Sequence, residues 1–103
     1  MVVMFEFLGG EMELQTFKNS IETYTGIIMF YSRECKVCEK QKELFDKVLK
    51  KYDSIECMQD VNYFLETHKL DLLPETRIYE NGKVVWSVVD FVTENDLKFL
   101  QEY

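Results

Sequence analysis

The sequence contains little proline, little glycine and no long hydrophobic run, and each shortage excludes a class of protein. One proline and four glycines among 103 residues are too few for a flexible linker or a low-complexity segment. No stretch approaches the roughly 18 consecutive apolar residues of a membrane-spanning helix. The remaining composition, 47% hydrophobic and 15% aromatic, is too apolar for a disordered chain. We therefore expect one compact domain over residues 1–103, because the chain is too short to form two cores.

Positive charge is also scarce. Twelve Lys and Arg residues against 19 Asp and Glu residues give a net charge of −7 and a pI near 4.7. The basic residues are spread along the chain among acidic ones, so no basic patch is present to hold a phosphate backbone. We expect neither a nucleic acid nor a membrane as a partner.

The apolar start of the chain lacks the features of a signal peptide. Residues 1–8 have no cationic lead-in, carry Glu6 and contain no small-residue cleavage site. We interpret residues 2–8 as a strand and expect a cytoplasmic protein. In that reducing compartment a Cys-x-x-Cys pair is more often catalytic or metal-binding than structural.

Apolar residues follow strand and helix periods in alternation along the chain. Apolar runs predict strands at 2–8, 27–31, 55–58, 76–79 and 83–89. Helical spacing, with Gly26 and Thr93 as cap residues, predicts helices over 12–24, 35–52, 61–70 and after 93. Asn81-Gly82 predicts a hairpin between the last two strands, because both turn residues tolerate positive φ. The order β-α-β-α-β-α-β-β-α predicts an α/β fold with a central mixed sheet flanked by helices.

Cys35 and Cys38 stand three residues apart, after a predicted buried strand and at the start of an amphipathic helix. Disulfide exchange requires a thiolate, which a helix N-terminus stabilises through its unpaired N–H groups and partial positive charge. The interaction of a negative charge with the helix N-terminus contributes about 0.3–2 kcal/mol. We expect it to lower the pKa of the Cys35 thiol below its usual value near 8.5. Arg33 and Lys36 favour the thiolate and Glu34 opposes it. The second thiol, one helical turn on, is within reach to resolve a mixed disulfide.

Two segments resemble the thioredoxin family at that family's spacing. They are IIMFYSRECKVC at residues 27–38, followed by an amphipathic helix, and LPETRIYENG at residues 73–82. The resemblance covers essentially the whole chain and implies a thioredoxin-like fold with thiol–disulfide oxidoreductase activity. It implies that Cys35 is the nucleophile and Cys38 the resolving thiol. It also implies that Pro74 is a cis-proline whose preceding backbone, at Leu73, lines the substrate groove.

The resemblance also implies the partners of the chain. The Cys-x-Val-Cys form is similar to small bacterial thioredoxin-like proteins. Such a protein acts on protein substrates that contain disulfides and is recycled by a separate reductase. We expect no bound cofactor, no metal and a monomeric protein.

Several residues depart from the thioredoxin pattern, and three of them affect the predicted site. Glu34 stands where the family has tryptophan, and Met29 where it has a buried acid that accepts the proton of the resolving thiol. Counting from Pro74, Asp90 takes the place of a glycine that lets a substrate backbone approach. We expect Glu34 and Asp90 at the rim of the substrate groove, where their charges disfavour acidic substrates.

Other interpretations of these residues stay open. The cysteine pair could belong to a metal site, but zinc usually takes four ligands and only Cys57 and His68 remain. The chain could instead be a non-catalytic thioredoxin-like module that binds a partner beside Pro74, with vestigial or regulatory cysteines. Arg77 falls in an otherwise apolar strand, so it must snorkel, pair with a carboxylate or bind an acidic substrate.

Overall fold

The computed structural model describes residues 10–101, which form five strands, four α-helices and two short 3-10 helices. The strands are β1 (Gly10–Glu11), β2 (Gly26–Tyr31), β3 (Asp53–Glu56), β4 (Glu75–Glu80) and β5 (Lys83–Val89). The helices are α1 (Leu14–Ser20), α2 (Lys36–Val48), α3 (Val61–His68) and α4 (Glu94–Leu100), and the 3-10 helices are Ile21–Thr23 and Met58–Asp60. The strand predicted at 2–8 lies outside the described residues. The predicted order of elements is confirmed, although the first described strand begins at Gly10.

The five strands form one mixed sheet in the order β1-β3-β2-β4-β5. β3 pairs in parallel with both β1 and β2, whereas β4 runs antiparallel to β2 and to β5. β2 is therefore the central strand, and its apolar run is buried on both faces as predicted. The predicted α/β class with a central mixed sheet is confirmed.

Helices cover both faces of this sheet. Ile27 and Met29 of β2 pack in one core cluster with residues of α2 and α4, such as Phe45 and Leu97. The alternate residues of β2 pack in a second cluster with α1 and α3, whose largest contributions are Phe17 and Phe64. The period of two along β2 thus divides the core into two layers.

The hairpin predicted at Asn81-Gly82 is confirmed. Asn81 and Gly82 have φ values of 52° and 84°, as a two-residue turn between twisted strands requires. The N–H of Gly82 donates to the carbonyl of Tyr24 at 2.8 Å. A Cβ at Gly82 would collide with the backbone of Glu22, so close packing also requires glycine here.

The cap predicted at Gly26 is wrong. Gly26 is the first residue of β2 and has a φ of 147°, a backbone conformation that residues with a side chain rarely adopt. A Cβ there would lie 2.8 Å from the hydroxyl of Tyr24. Glycine is needed for the entry into the strand, because the preceding helical segment already ends with the 3-10 helix Ile21–Thr23.

The helix predicted over 35–52 is shorter in the structure, because α2 ends at Val48. Leu49 has extended backbone angles, yet Leu49 and Tyr52 both pack in the core cluster of α2. The apolar spacing therefore continues past the helix because the following loop is buried as well. Within residues 10–101, no helix is long and apolar enough to cross a membrane.

Four chain segments meet at one edge of the sheet. β2 and β3 are parallel and end there, with Tyr31 opposite Glu56. β4 starts there, because Glu75 pairs with Phe30 of β2. β5 ends there, with Val89 opposite Glu75. This edge carries the cysteine pair and the sole proline.

Candidate active site

A disulfide joins Cys35 and Cys38 in the first turn of α2. The two Cα atoms are 5.2 Å apart, within the normal range for a disulfide. Cys35 is the N-cap residue of α2, and its Sγ accepts the N–H of Cys38 at 3.1 Å. The helix start therefore directs a backbone donor at the first sulfur, as the sequence predicts.

The two sulfurs differ in their access to solvent. Cys38 is 2% exposed and belongs to the core cluster under α2, whereas Cys35 is half-buried at the surface. Of the two residues, Cys35 is the more exposed. The roles of Cys35 as nucleophile and Cys38 as resolving thiol stay predictions.

The loop before Cys35 is a hydrogen-bonded turn. The N–H of Cys35 donates to the carbonyl of Ser32 at 3.1 Å, and the N–H of Glu34 donates to the Ser32 hydroxyl at 3.3 Å. The N–H of Arg33 donates to a carboxylate oxygen of Glu56 at 3.2 Å. The side chain of Glu34 is exposed, and its place at the rim of a substrate groove stays a prediction.

Pro74 and Asp90 are neighbours at the same edge of the sheet. The Leu73–Pro74 peptide bond is cis, as the resemblance implies. The N–H of Asp90 donates to the carbonyl of Pro74 at 2.7 Å. Asp90 is exposed and has a φ of 76°, a conformation that favours glycine. Leu73 is half-buried and packs against both core clusters. The role of these residues in a substrate groove stays a prediction.

Sequence reasoning missed Glu56. Its side chain is buried, at 9% exposure, and accepts backbone N–H groups from Arg33, Met58 and Gln59. The available signal was an acid inside the short apolar segment at 55–58. A buried carboxylate must be hydrogen-bonded, so such an acid indicates a local acceptor for backbone donors.

Arg77 pairs with a carboxylate, which is one of the accounts that the sequence left open. Its Nε lies 2.6 Å from Glu75 Oε2, and both side chains are about 10% exposed or less. The other guanidinium nitrogens donate to the hydroxyl of Tyr79 at 3.2 Å and to the carbonyl of His68 at 2.7 Å. These bonds attach the end of α3 to β4 beside Pro74.

The third cysteine and the histidine stand apart from the disulfide. Cys57 follows β3 instead of lying within it, and it is a buried free thiol. Burial and the nearby charge of Glu56 raise its pKa to about 12. Burial and the charge of Arg77 lower the pKa of His68. Among the residues described here, no three His, Cys, Asp or Glu side chains group as metal ligands.

Comparison with known proteins identifies the fold. No protein-family model matches the sequence, and no curated protein matches it. Thioredoxin f2 of Chlamydomonas reinhardtii superposes with a TM-score of 0.74 at 13% identity, over 89% of this chain and 93% of that chain. A Malassezia sympodialis thioredoxin gives a TM-score of 0.72 at 13% identity, over 89% of this chain and 87% of that chain. Oxidised mitochondrial thioredoxin 3 of Saccharomyces cerevisiae gives a TM-score of 0.65 at 13% identity, over 90% of this chain and 93% of that chain.

At such identities the likeness establishes the fold alone. The resemblance seen in the two sequence segments is thus confirmed for the architecture of the chain. The protein has the thioredoxin fold, with a Cys35–Cys38 disulfide at the start of its second α-helix.

Proposed function

We propose that the protein is a thiol–disulfide oxidoreductase that reduces or exchanges disulfides of protein substrates. The observation that carries the proposal is the placement of the cysteine pair. Cys35 is accessible and accepts a backbone N–H at the helix start, while Cys38 lies buried one turn behind it. A pair that served only packing would not need one sulfur at the surface.

In the reduced protein the Cys35 thiolate attacks one sulfur of a substrate disulfide. A mixed disulfide forms, and the other substrate sulfur leaves and takes a proton from water. Cys38 then loses its proton and attacks the Cys35 sulfur, which releases the second substrate thiol. The substrate gains two electrons and two protons, and the protein is left with the Cys35–Cys38 disulfide. A dithiol or a separate reductase returns both electrons and protons.

Apolar side chains near the pair support a protein substrate. Val37, next to Cys38, and Phe91, next to Asp90, are both exposed. Met58, two residues after Glu56, and Leu72, before Pro74, are exposed as well. Contiguous exposed apolar surface is typical of an interaction site, and we propose that these four side chains contact the substrate. The proposed setting is a monomer in the reducing cytoplasm, recycled by a separate reductase.

Reduction of insulin by dithiothreitol tests the proposal. The wild-type protein should accelerate precipitation of the insulin B chain, and Cys35→Ser should abolish this acceleration. Cys38→Ser should instead accumulate a mixed disulfide through Cys35, visible by mass spectrometry. Cys57→Ala, which removes only the buried free thiol, should retain activity and serves as the control. A wild-type protein no faster than dithiothreitol alone would favour the non-catalytic partner-binding module.

A further inference from the structure

Among the described N–H groups of the turn that presents Cys35, one donates a hydrogen bond to a distant part of the chain. The N–H groups of Glu34 and Cys35 are satisfied within the turn by Ser32. The N–H of Arg33 instead crosses to the Glu56 carboxylate at the end of β3. The position of the turn relative to the sheet therefore depends on Glu56 as well as on the covalent chain.

The same carboxylate also accepts backbone N–H groups from a second segment of the chain. Glu56 Oε2 also accepts the N–H of Met58 at 2.9 Å, and Oε1 accepts the N–H of Gln59 at 3.1 Å. Both donors belong to the first residues of the 3-10 helix Met58–Asp60, which carries the exposed Met58 side chain. Three backbone N–H groups thus donate to one nearly buried carboxylate, and a hydrogen bond to an ionised group is stronger than one between neutral groups. One side chain thus joins the turn before Cys35 to the apolar segment at Met58.

We propose that Glu56 is a positioning residue for Cys35, which fixes the turn before the nucleophile and ties it to the Met58 segment. This inference deepens the proposed function and rests on it for the activity readout. Its main readout, the reactivity of the Cys35 thiol in the reduced protein, requires no turnover.

A positioning role and a purely electrostatic role of Glu56 predict opposite changes in the pKa of the Cys35 thiol. The field of a helix N-terminus falls off within the first turn. If the turn loosens, the Cys35 sulfur loses its bond from the Cys38 N–H and the pKa of the thiol rises. If Glu56 acts only as a nearby negative charge, its removal lowers the pKa of the thiol. The direction of the change therefore separates the two accounts.

The test is the pH dependence of Cys35 alkylation by iodoacetamide in reduced Glu56→Gln protein. Glutamine keeps the size and one acceptor oxygen but loses the charge and the second acceptor. We expect the alkylation midpoint to rise by about half to one pH unit. Asp60→Asn is the matched control, because Asp60 accepts the N–H of Tyr63 and pairs with Lys18 instead. A midpoint that falls, stays unchanged or rises equally in both variants would overturn the proposal.

A second pair of variants removes the backbone donor itself and leaves Glu56 in place. Arg33 is the second residue of a Ser32–Cys35 turn, a position that proline favours. Arg33→Pro deletes the N–H that Glu56 accepts, whereas Arg33→Ala keeps it and removes the side chain. The midpoint should rise in Arg33→Pro relative to Arg33→Ala. Equal midpoints in these two variants would overturn the role of the bond, even if Glu56→Gln fails to fold.

Activity separates failure of this inference from failure of the proposed function. In the insulin assay, Glu56→Gln should lower kcat/KM about tenfold, as misplacement of a reacting group does, while Asp60→Asn stays within about twofold. A wild-type protein without activity would remove the proposed function, and the alkylation midpoints would still decide the role of Glu56. An active wild type with equal losses in both variants would contradict the positioning role alone.

Discussion

Asp90 holds a backbone conformation that its side chain disfavours. Its φ of 76° places it in the left-handed region, and its N–H is bonded to the carbonyl of Pro74. The bond fixes this conformation at the end of β5, so the chain cannot relax it without releasing the loop at Pro74. Left-handed backbone costs a non-glycine residue about 1–2 kcal/mol, and aspartate somewhat less.

Asp90→Gly should therefore stabilise the protein. We expect the free energy of unfolding to rise by about 0.5–1 kcal/mol, because relief of the backbone exceeds the entropy cost of glycine in the unfolded chain. Asp71→Gly is the control, since Asp71 is also exposed but has no positive φ. It should lower stability. Urea unfolding of both variants measures the difference, and a loss in Asp90→Gly would contradict the expectation.

In the proposed reaction, the side chain at Met29 offers no acceptor for the proton of Cys38. Met29 is fully buried in the same core cluster as Cys38, at the position where thioredoxins place an acid. A methionine accepts no proton, so deprotonation of Cys38 depends on water and on pH. Release of substrate from the mixed disulfide should accelerate about tenfold per pH unit until the thiol titrates.

Quenched-flow detection of the released thiol measures this step. The rate should rise throughout the range from about pH 6.5 to 9, because burial raises the pKa of a thiol above its usual value near 8.5. Met29→Leu adds no acid and should show the same slope. A rate independent of pH over that range would show that another group takes the proton.

At the scale of elements, β4 carries a buried ion pair that links it to the end of α3. Arg77 bonds Glu75 and the His68 carbonyl, so β4 and the end of α3 share one charged contact. Removing one member of a buried pair leaves an unpaired charge, which costs about 3–5 kcal/mol, whereas replacing both by apolar residues is often near neutral.

Arg77→Leu should therefore cost about 3 kcal/mol or more. The double variant Glu75→Leu/Arg77→Leu should be more stable than Arg77→Leu, since no charge is left buried alone. Chemical denaturation of the two single variants and the double variant gives the coupling free energy. A double variant less stable than Arg77→Leu would mean that the pair does not dominate the energetics of β4.

Local patterns predicted most elements and the cysteine pair. β2 could be predicted because a strand buried on both faces has a continuous apolar run, and Asn81-Gly82 because its turn needs two residues of positive φ. The end of α2 could not be predicted, because Leu49 lies in the loop after the helix and is still buried, so the apolar spacing does not mark where the helix ends. Glu56 could not either: its contact with Arg33 spans 23 residues and depends on the register of β2 and β3.

At the scale of the whole molecule, acidic residues outnumber basic ones, although Arg33 and Lys36 also flank Cys35. The net charge is −7, and Glu34 and Asp90 are both exposed on segments that meet at the active edge. Such a field steers basic partners toward the site and slows acidic ones, including glutathione. Salt weakens the effect because charges more than about 10 Å apart are screened at 0.1 M.

Disulfide peptides of equal length and opposite charge test this bias. At low ionic strength the basic peptide should react about tenfold faster, which corresponds to about 1.4 kcal/mol. Asp90→Asn should reduce the ratio, and Glu80→Gln should not, because Glu80 is an exposed residue at the opposite end of β4. Equal rates on the two peptides in low salt would remove Asp90 from the account of specificity.

The bond between the Cys38 N–H and Cys35 Sγ also makes one amide a spectroscopic reporter. Its acceptor is a disulfide sulfur in the oxidised protein, and becomes a thiolate, a thiol or a mixed-disulfide sulfur as Cys35 reacts. Each acceptor polarises the N–H to a different degree. The nitrogen and proton shifts of Cys38 in a ¹⁵N-labelled sample should therefore follow the chemical state of the nucleophile in real time, with no probe attached to the protein.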